Sequence, residues 1–297
     1  MDPKPVVREP TVTAVVVSYN QARFLPACLT GLGAQTRRPD QVIIVDDASS
    51  DSSQDLLRRW VAEHRADARL ILHDHNQGVV RTLNEAYAQV TSDFVAPLAA
   101  DDLWFPDKLA VQVRQLAALP EKVGVLYGDV ERIDEGGVRL AGTFIEHYRG
   151  SAVLPEGDLF DDLLRGNFLA SPSILMRHSV WREVGRFDES LYMEDWDFWL
   201  RVAKRFHFAV TDEPVGHYRV VTGSLVTGAM STRKGAEGDL RLLLKWLKEP
   251  QMRSREMQAR LRAAVESARQ HGVLSRAGRV ALLLRIAARR RLPSRSR

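Results

Sequence analysis

The chain has 297 residues, 45% hydrophobic and 27% charged, a balance that supports a full core and excludes a low-complexity protein. A single cysteine, Cys28, rules out an internal disulfide framework and a thiolate metal cluster, and no apolar run approaches the ~18 residues of a membrane span. The net charge of +4 is uneven: residues 251–297 hold thirteen arginines, no lysine and only Glu256 and Glu266 as acids, +11 in sum, which leaves −7 for residues 1–250.

Residues 1–10 carry three prolines, read as a loose lead-in and lack a signal-peptide core, so a cytoplasmic protein is the expectation. Thr11–Val17 is a β-branched run that predicts a buried strand ending in the polar turn Ser18-Tyr19-Asn20. Helical spacing follows over Ala22–Ala34, with Cys28 as a small core residue. A second strand, Gln41–Val45, ends on Asp46-Asp47-Ala48-Ser49-Ser50-Asp51, rich in helix-capping residues before a helix at Ser53–Glu63. Arg69–Leu72 reads as a third strand, Val79–Gln89 as a helix, and Asp93–Ala100 as a fourth strand, interrupted by Pro97 and ending on the adjacent acids Asp101 and Asp102. Pro106 then opens a helix through Lys108, Leu109, Val111, Leu116 and Leu119. This alternation predicts an α/β protein with a mostly parallel sheet covered by helices on both faces.

After Lys122 the rhythm changes. Val123–Tyr127 predicts a strand, Glu135–Val138 a hairpin turn, Asp158–Arg165 a short helix and SPSILM another strand. Arg177 and Arg182 flank a short helical stretch and read as solvated. The turn-rich GRFDESL precedes a helix, Glu194–Arg205, dense in aromatic residues. Further strands fall within Phe208–Val221, and residues 237–291 read as helical with breaks near Pro250 and Gly272.

Polar clusters thus recur at element ends: Tyr19-Asn20, Asp46-Asp47, Asp101-Asp102 and Glu194-Asp195. In a parallel sheet the first three share one rim, where open α/β sheets bind ligands. Adjacent carboxylates repel, and a cation or hydrogen bonds must offset that cost, although a solvated acidic turn is the simpler alternative. The first strand–helix turn lacks a dinucleotide glycine fingerprint, and no glycine-rich phosphate loop is present. His73, His75, His147, His178 and His207 fit no metal-ligand spacing and read as surface or packing residues.

Five blocks in order, VVVSYN, VIIVDDASSD, NQGVVRTLNEAY, AADDLWFPDKL and GRFDESLYMEDWDFWLR, resemble glycosyltransferase family 2 over residues 11–225. The resemblance implies a GT-A fold and an inverting transferase using a nucleotide-sugar donor of UDP type, in cell-envelope or exopolysaccharide synthesis. It implies a catalytic domain at 11–230, with a nucleotide half (11–120) and an acceptor half (121–230), followed by a helical arginine-rich extension at 231–297. It places Tyr19, Asn20, Asp47 and Arg81 at the donor nucleotide. Asp101 and Asp102 resemble the "DXD" acids, with Asp102 on Mn²⁺ or Mg²⁺ and Asp101 on the ribose or a metal-bound water. Asp195 matches the general base, with helix capping as its structural alternative. Glu194, Trp196, Trp104 and His217 are candidates for the acceptor side or pocket wall, Trp104 having core packing as its alternative.

The chain departs from the family pattern in two places. Ala99 stands where an additional aspartate is common, and Val221 where a histidine often follows the YR pair of Tyr218-Arg219. His217 substitutes only if the chain brings it round. The expected partners are a nucleotide sugar and a glycan or lipid-linked acceptor. In the tail, Leu274, Val280, Leu283, Leu284, Ile286 and Ala287 beside Arg276, Arg279, Arg285 and Arg289 suit peripheral contact with the inner face of an anionic membrane, each nearby charge giving ~1 kcal/mol. The alternative is a helix packed on the catalytic domain. Nucleic acid is not expected, because no aromatic residues interleave the arginines. Rival readings are a nucleotidyltransferase, which usually opens with a glycine-rich basic loop absent here, and a non-catalytic sugar-nucleotide or polysaccharide-binding protein of the same fold.

Overall fold

A computed structural model describes residues 8–222 and 232–275, with isolated positions beyond (277, 278, 280, 282 and 286). In chain order the first elements are β1 (Val12–Ser18), α1 (Leu25–Gly33), β2 (Gln41–Asp46), α2 (Ser53–His64), β3 (Arg69–Leu72), α3 (Val79–Ala88), β4 (Phe94–Ala99), β5 (Leu103–Trp104) and α4 (Lys108–Ala118). Next come β6 (Val123–Gly128), β7 (Glu131–Ile133), β8 (Arg139–Thr143), α5 (Phe144–Arg149), α6 (Phe160–Arg165), β9 (Leu175–Arg177) and α7 (His178–Val184). The chain continues through α8 (Glu194–Ala203), β10 (His207–Thr211), β11 (Gly216–Arg219), α9 (Arg233–Lys245) and α10 (Arg255–Gln270).

The chain divides into two compact units. One runs through Phe187 and resumes over Phe198–Val220; the other takes Asp188–Asp197 and the chain from Val221 onward. The first unit holds a seven-stranded sheet in the order β10-β6-β9-β4-β1-β2-β3 and a four-stranded sheet in the order β5-β11-β7-β8. In the large sheet β1 pairs parallel with both β2 and β4, and only β9 runs against its neighbours. Val12, Ala14, Val15 and Val16 are buried, as expected of a central strand covered on both faces by helices. α1 turns Leu25, Cys28, Leu29 and Leu32 into this core.

Two local expectations change. Pro97 does not interrupt β4, which is continuous from Phe94 to Ala99. The N–H groups of Phe94 and Ala100 donate to Thr11 and Val17 of the β1 side. Strand alternation therefore turns the nitrogen of Pro97 toward β9, which pairs only with Phe94 and Val95, so no ladder bond is lost. The SPSILM segment is a strand only from Leu175. Pro172 sits in a 3₁₀ turn over Ser171–Ser173, closed by the Ser173 N–H and hydroxyl, both donating to the Ala170 carbonyl.

Arg177 is also not solvated. Its guanidinium donates to the carbonyls of Val123, Leu116 and Leu119 at 2.8–2.9 Å and lies over the Phe94 ring. It thereby ties the C-terminal end of α4, where the Leu116 carbonyl also takes the Leu119 N–H, to the start of β6.

β5 intervenes between the acid pair and α4. It pairs antiparallel with β11, Gly216 opposite Trp104 and His217 opposite Leu103. A β-carbon at Gly216 would collide with the Leu103 carbonyl oxygen, so only glycine admits this approach.

In the second unit, Thr232 and Ser254 cap α9 and α10 by accepting the N–H groups of Gly235 and Met257. The two helices are joined by an Arg260–Asp239 ion pair at 2.7 Å. Most of the arginine-rich stripe, including Arg276, Arg279, Arg285, Arg289, Leu283, Leu284 and Ala287, lies outside the described residues, as do Gly223 and Ser224.

Candidate active site

The register of the central strands sets the candidate site. Ser18 lies opposite Asp46, and Val17 opposite Ala99, so the chain leaves β1, β2 and β4 at one edge of the sheet. Tyr19-Asn20, Asp47 and Asp101-Asp102 all emerge there.

The first two loops are laced together. Asp47 N–H donates to Ser18 O, Asn20 N–H to Ser49 Oγ, Gln21 N–H to Ser53 Oγ and Ala22 N–H to Asp51 Oδ2, at 2.8–3.0 Å. Asn20 accepts the Ser50 N–H at 2.8 Å. Asn20 and Ala48 both take the left-handed conformation, with φ of 53° and 61°. Asparagine tolerates that region; alanine there is strained. Asp46 is consumed by its own turn, accepting from the Ser49 N–H and hydroxyl and from Gln54.

Asp47 is almost fully buried. Its Oδ1 accepts the Gln77 N–H and faces His73 Nδ1, and its Oδ2 accepts the Gly78 N–H, each at 2.8 Å. A carboxylate has about four lone-pair positions, so about one remains for a ligand. Burial works against the charge, but the Gln77 N–H, His73 and the Gly78 N–H hold the Asp47 carboxyl below the usual range.

Asp101 and Asp102 differ in exposure. Asp102 is 2% exposed, and its Oδ1 accepts the Arg219 N–H at 2.9 Å. Asp101 is half-buried; its own N–H and the Arg219 charge are the groups that favour its ionised form. Burial raises both carboxyls above the usual range, and the charge of Asp101 raises Asp102 further. Arg219 leans in from β11, its Nε donating to the Asp101 carbonyl and its Nη1 to the Asp134 carbonyl.

These acids fit a divalent cation. Two neighbouring carboxylates are held where ionisation is costly, and among the described residues no side chain hydrogen-bonds to the Asp101 carboxylate. Among the described residues no group of three or more His, Cys, Asp and Glu side chains converges on a metal position. Magnesium-type sites commonly use one or two carboxylates and leave the rest of the shell to phosphate and water.

The other expected residues fall in several places. Tyr19 is 48% exposed at the rim, and Arg81 is exposed on the first turn of α3. Trp104 is not a pocket wall: it is 3% exposed in the core, with Lys108 Nζ 4.6 Å from its ring centre. His217 does not turn to the acid pair; its Nε2 lies 3.2 Å from Glu131 Oε2 and its ring packs on Phe105.

Glu194, Asp195 and Trp196 belong to the second unit. There Asp195 Oδ1 accepts the Trp196 N–H at 2.7 Å, and the Arg260 guanidinium covers the Trp196 ring. Burial, and then the Asp195 charge, push the Glu194 carboxyl up to about 8.

Sequence reasoning missed His73, Glu85 and Arg219. His73 lies at the end of β3, and a polar residue at a strand's carboxyl end is the signal that found the other clusters. Glu85 and Arg219 left no comparable signal, because their partners are distant in the chain.

A model of the family described as "Glycosyl transferase family 2" matches residues 13–174. Among curated proteins, an uncharacterized glycosyltransferase of Rickettsia bellii is 29% identical over 197 residues, 65% of this chain but 27% of that relative. The chain thus spans about a quarter of that relative's length. The putative glycosyltransferase EpsE of Bacillus subtilis is 28% identical, over 65% of this chain and 66% of EpsE. The mannosyltransferase PcManGT of Pyrobaculum calidifontis, solved with GDP-Man and Mn²⁺, shares the fold with a TM-score of 0.64 and 22% identity, covering 96% of this chain and 81% of that one. S. aureus TarS 1–349, solved with UDP, gives 0.58 and 18% identity, over 92% and 75% of the two chains. The mostly parallel sheet with flanking helices is the GT-A architecture that the resemblance implied. With more than half of its length matched by the family model, the chain belongs to glycosyl transferase family 2.

Proposed function

We propose that this protein moves a glycosyl group from a nucleotide-diphosphate sugar, of uridine type, to an acceptor hydroxyl with inversion at the anomeric carbon. The observation that carries the reading is the shared edge of β1, β2 and β4, where Tyr19, Asp47 and the Asp101–Asp102 pair emerge together. Solved neighbours support the donor class: TarS was solved with UDP and UDP-GlcNAc, and PcManGT with GDP-Man and Mn²⁺.

In this reading Tyr19 stacks on the base, Asp47 accepts from it with its remaining lone pair, Asn20 shapes the turn beneath it, and Arg81 approaches the diphosphate. Asp102 would hold Mn²⁺ or Mg²⁺ through its second oxygen, and Asp101 would hold the ribose or a water bound to that ion. A bound cation supplies Lewis-acid neutralisation of the charge that develops on the diphosphate. Asp195 takes the proton of the acceptor hydroxyl as that oxygen bonds to the anomeric carbon. The bond from that carbon to the diphosphate oxygen breaks on the opposite face, and the nucleoside diphosphate departs. Glu194 and Trp196 line the acceptor side.

The acceptor is a cell-envelope glycan or lipid-linked sugar, met at the inner face of the membrane through the basic segment after residue 250. That contact is peripheral in this reading; no helix among the described residues is long and apolar enough to cross a membrane. The functional division is a catalytic domain at 11–230 and an extension at 231–297. The experiment is a thermal-shift screen of uridine and guanosine diphosphates and their sugars, with and without Mn²⁺, followed by a turnover assay on any hit. A Mn²⁺-dependent rise in melting temperature with a uridine-type sugar, and its turnover, are expected. No shift with any nucleotide would sink the reading.

A further inference from the structure

Both ring nitrogens of His73 face carboxylates: Nδ1 lies 2.8 Å from Asp47 Oδ1, and Nε2 lies 2.8 Å from Glu85 Oε2. An ionised carboxylate only accepts hydrogen bonds. Two such contacts at once therefore require both ring nitrogens to carry protons, which makes the ring an imidazolium. Its side chain is 5% exposed, so the charge sits inside the protein, between two acids.

This ring is fastened to more than its two partners. The His73 N–H donates to the Asp46 carbonyl at 3.0 Å, which ends β3 against β2. Asp47, on its other sides, takes the N–H groups of Gln77 and Gly78, where α3 begins. Gly78 has φ of 90°, a conformation open to glycine and strained for other residues. Glu85 lies within α3 itself. One buried cation thus closes a loop from the end of β3, through Asp47, to both the start and the body of α3, and Arg81 stands on the first turn of that helix.

We propose that His73 is a positioning residue for the donor, an imidazolium clamp that fixes Asp47 and the Arg81 end of α3 at the edge of the sheet. The proposal rests on the donor reading given above. The charged groups that face the ring are Asp47 from the end of β2 and Glu85 from α3. α2 presents the neutral Gln54, whose amide reaches the His73 carbonyl at 3.5 Å, and Asp46 is engaged by Ser49 and Gln54. Burial opposes the ring's charge, but the hydrogen bonds and charges of Asp47 and Glu85 hold it above its usual range.

Loss of the proton at alkaline pH leaves one nitrogen as an acceptor facing a carboxylate. One of the two contacts must then open, and the 73–78 loop loses a tether. The expected signature is a donor KM that rises as the ring deprotonates, while kcat stays level.

The test uses the full chain. Nitrogen NMR of labelled histidine, assigned with His73→Gln, reads the ring's protonation without any donor present. Steady-state kinetics then read donor KM and kcat against pH for the wild type, His73→Gln and Glu85→Gln. Glu85 is partly exposed, so its variant keeps the fold if His73→Gln does not. The clamp predicts a doubly protonated ring at neutral pH and a rise of about tenfold in donor KM for His73→Gln, the loss of one charge-assisted hydrogen bond. It predicts a lower ring pKa in Glu85→Gln, with the KM limb moving down in step. A neutral ring beside intact donor binding overturns the clamp alone, as does a His73→Gln enzyme with the wild-type pH profile. A charged ring in a protein that binds no nucleotide sugar overturns the donor reading and the positioning role with it.

Discussion

The backbone N–H of Arg219 donates to Asp102 Oδ1 at 2.9 Å, joining positions 117 residues apart in the chain. The same residue's guanidinium donates to the Asp101 and Asp134 carbonyls and lies 4.8 Å from the centre of the Phe24 ring. It therefore ties the acid pair to β11, to the hairpin turn and to the residue before α1. Arg219→Met keeps the backbone contact and removes the rest. It should lower unfolding free energy by about 2 kcal/mol, the scale of lost charged hydrogen bonds, as measured by urea denaturation. An unchanged midpoint would show that the guanidinium is idle.

Asp102 should trade stability against ligand binding. Its folded pKa is raised, so its contribution to stability is full below the unfolded value and is lost as pH rises through the folded one. Where Asp102 is ionised, its buried charge is a burden on the protein. Asp102→Asn still accepts the Arg219 N–H, and should raise the melting temperature without metal while weakening the shift produced by Mn²⁺ with a nucleoside diphosphate. A less stable variant with a full Mn²⁺ response contradicts both halves of the argument.

Glu194 should impose a pH slope of its own. Its carboxyl stands at about 8 in the folded protein against an ordinary 4.5, so the folded form holds this proton more tightly. Stability from this group is complete below the ordinary value and declines as pH rises toward about 8. Glu194→Gln should flatten that part of the stability profile, read from melting temperatures across the range. Parallel profiles for the two proteins would place the raised carboxyl elsewhere.

Asp195→Asn should remove transfer while leaving Mn²⁺-dependent donor binding near the wild-type level. General-base assistance is worth about 10²–10⁴ in rate, so kcat should fall by that order with donor affinity unchanged by calorimetry. Full-rate transfer in the variant would assign the base to another residue.

The central sheet was legible because its strands are continuous apolar runs. β1, β2 and β4 each came within about two residues of their observed bounds, the usual scatter of strand and helix ends. The shared rim was legible for the same reason, since parallel neighbours deliver their carboxyl ends together. Contacts between distant residues were not. Nothing beside Arg177 announces three backbone carbonyls waiting for a guanidinium, and nothing beside His73 announces Glu85. Trp104 follows two acids in the chain and looks like a pocket wall, yet β5 carries it into the core. Pro97 misled in the opposite way: it cannot donate a hydrogen bond, but at that point the sheet asks for none.

Gly216 has a wider consequence. Because β11 lies flush on the Leu103 carbonyl there, the seat of the acid pair is cut largely from main chain: the Arg219 amide, the Asp101 carbonyl and the Ala99 carbonyl that takes the Asp102 amide. Main-chain atoms are indifferent to most substitutions. Drift in the surrounding side chains can therefore retune what lies around the carboxylates without moving them, whereas a single methyl group at position 216 would lever the whole strand away.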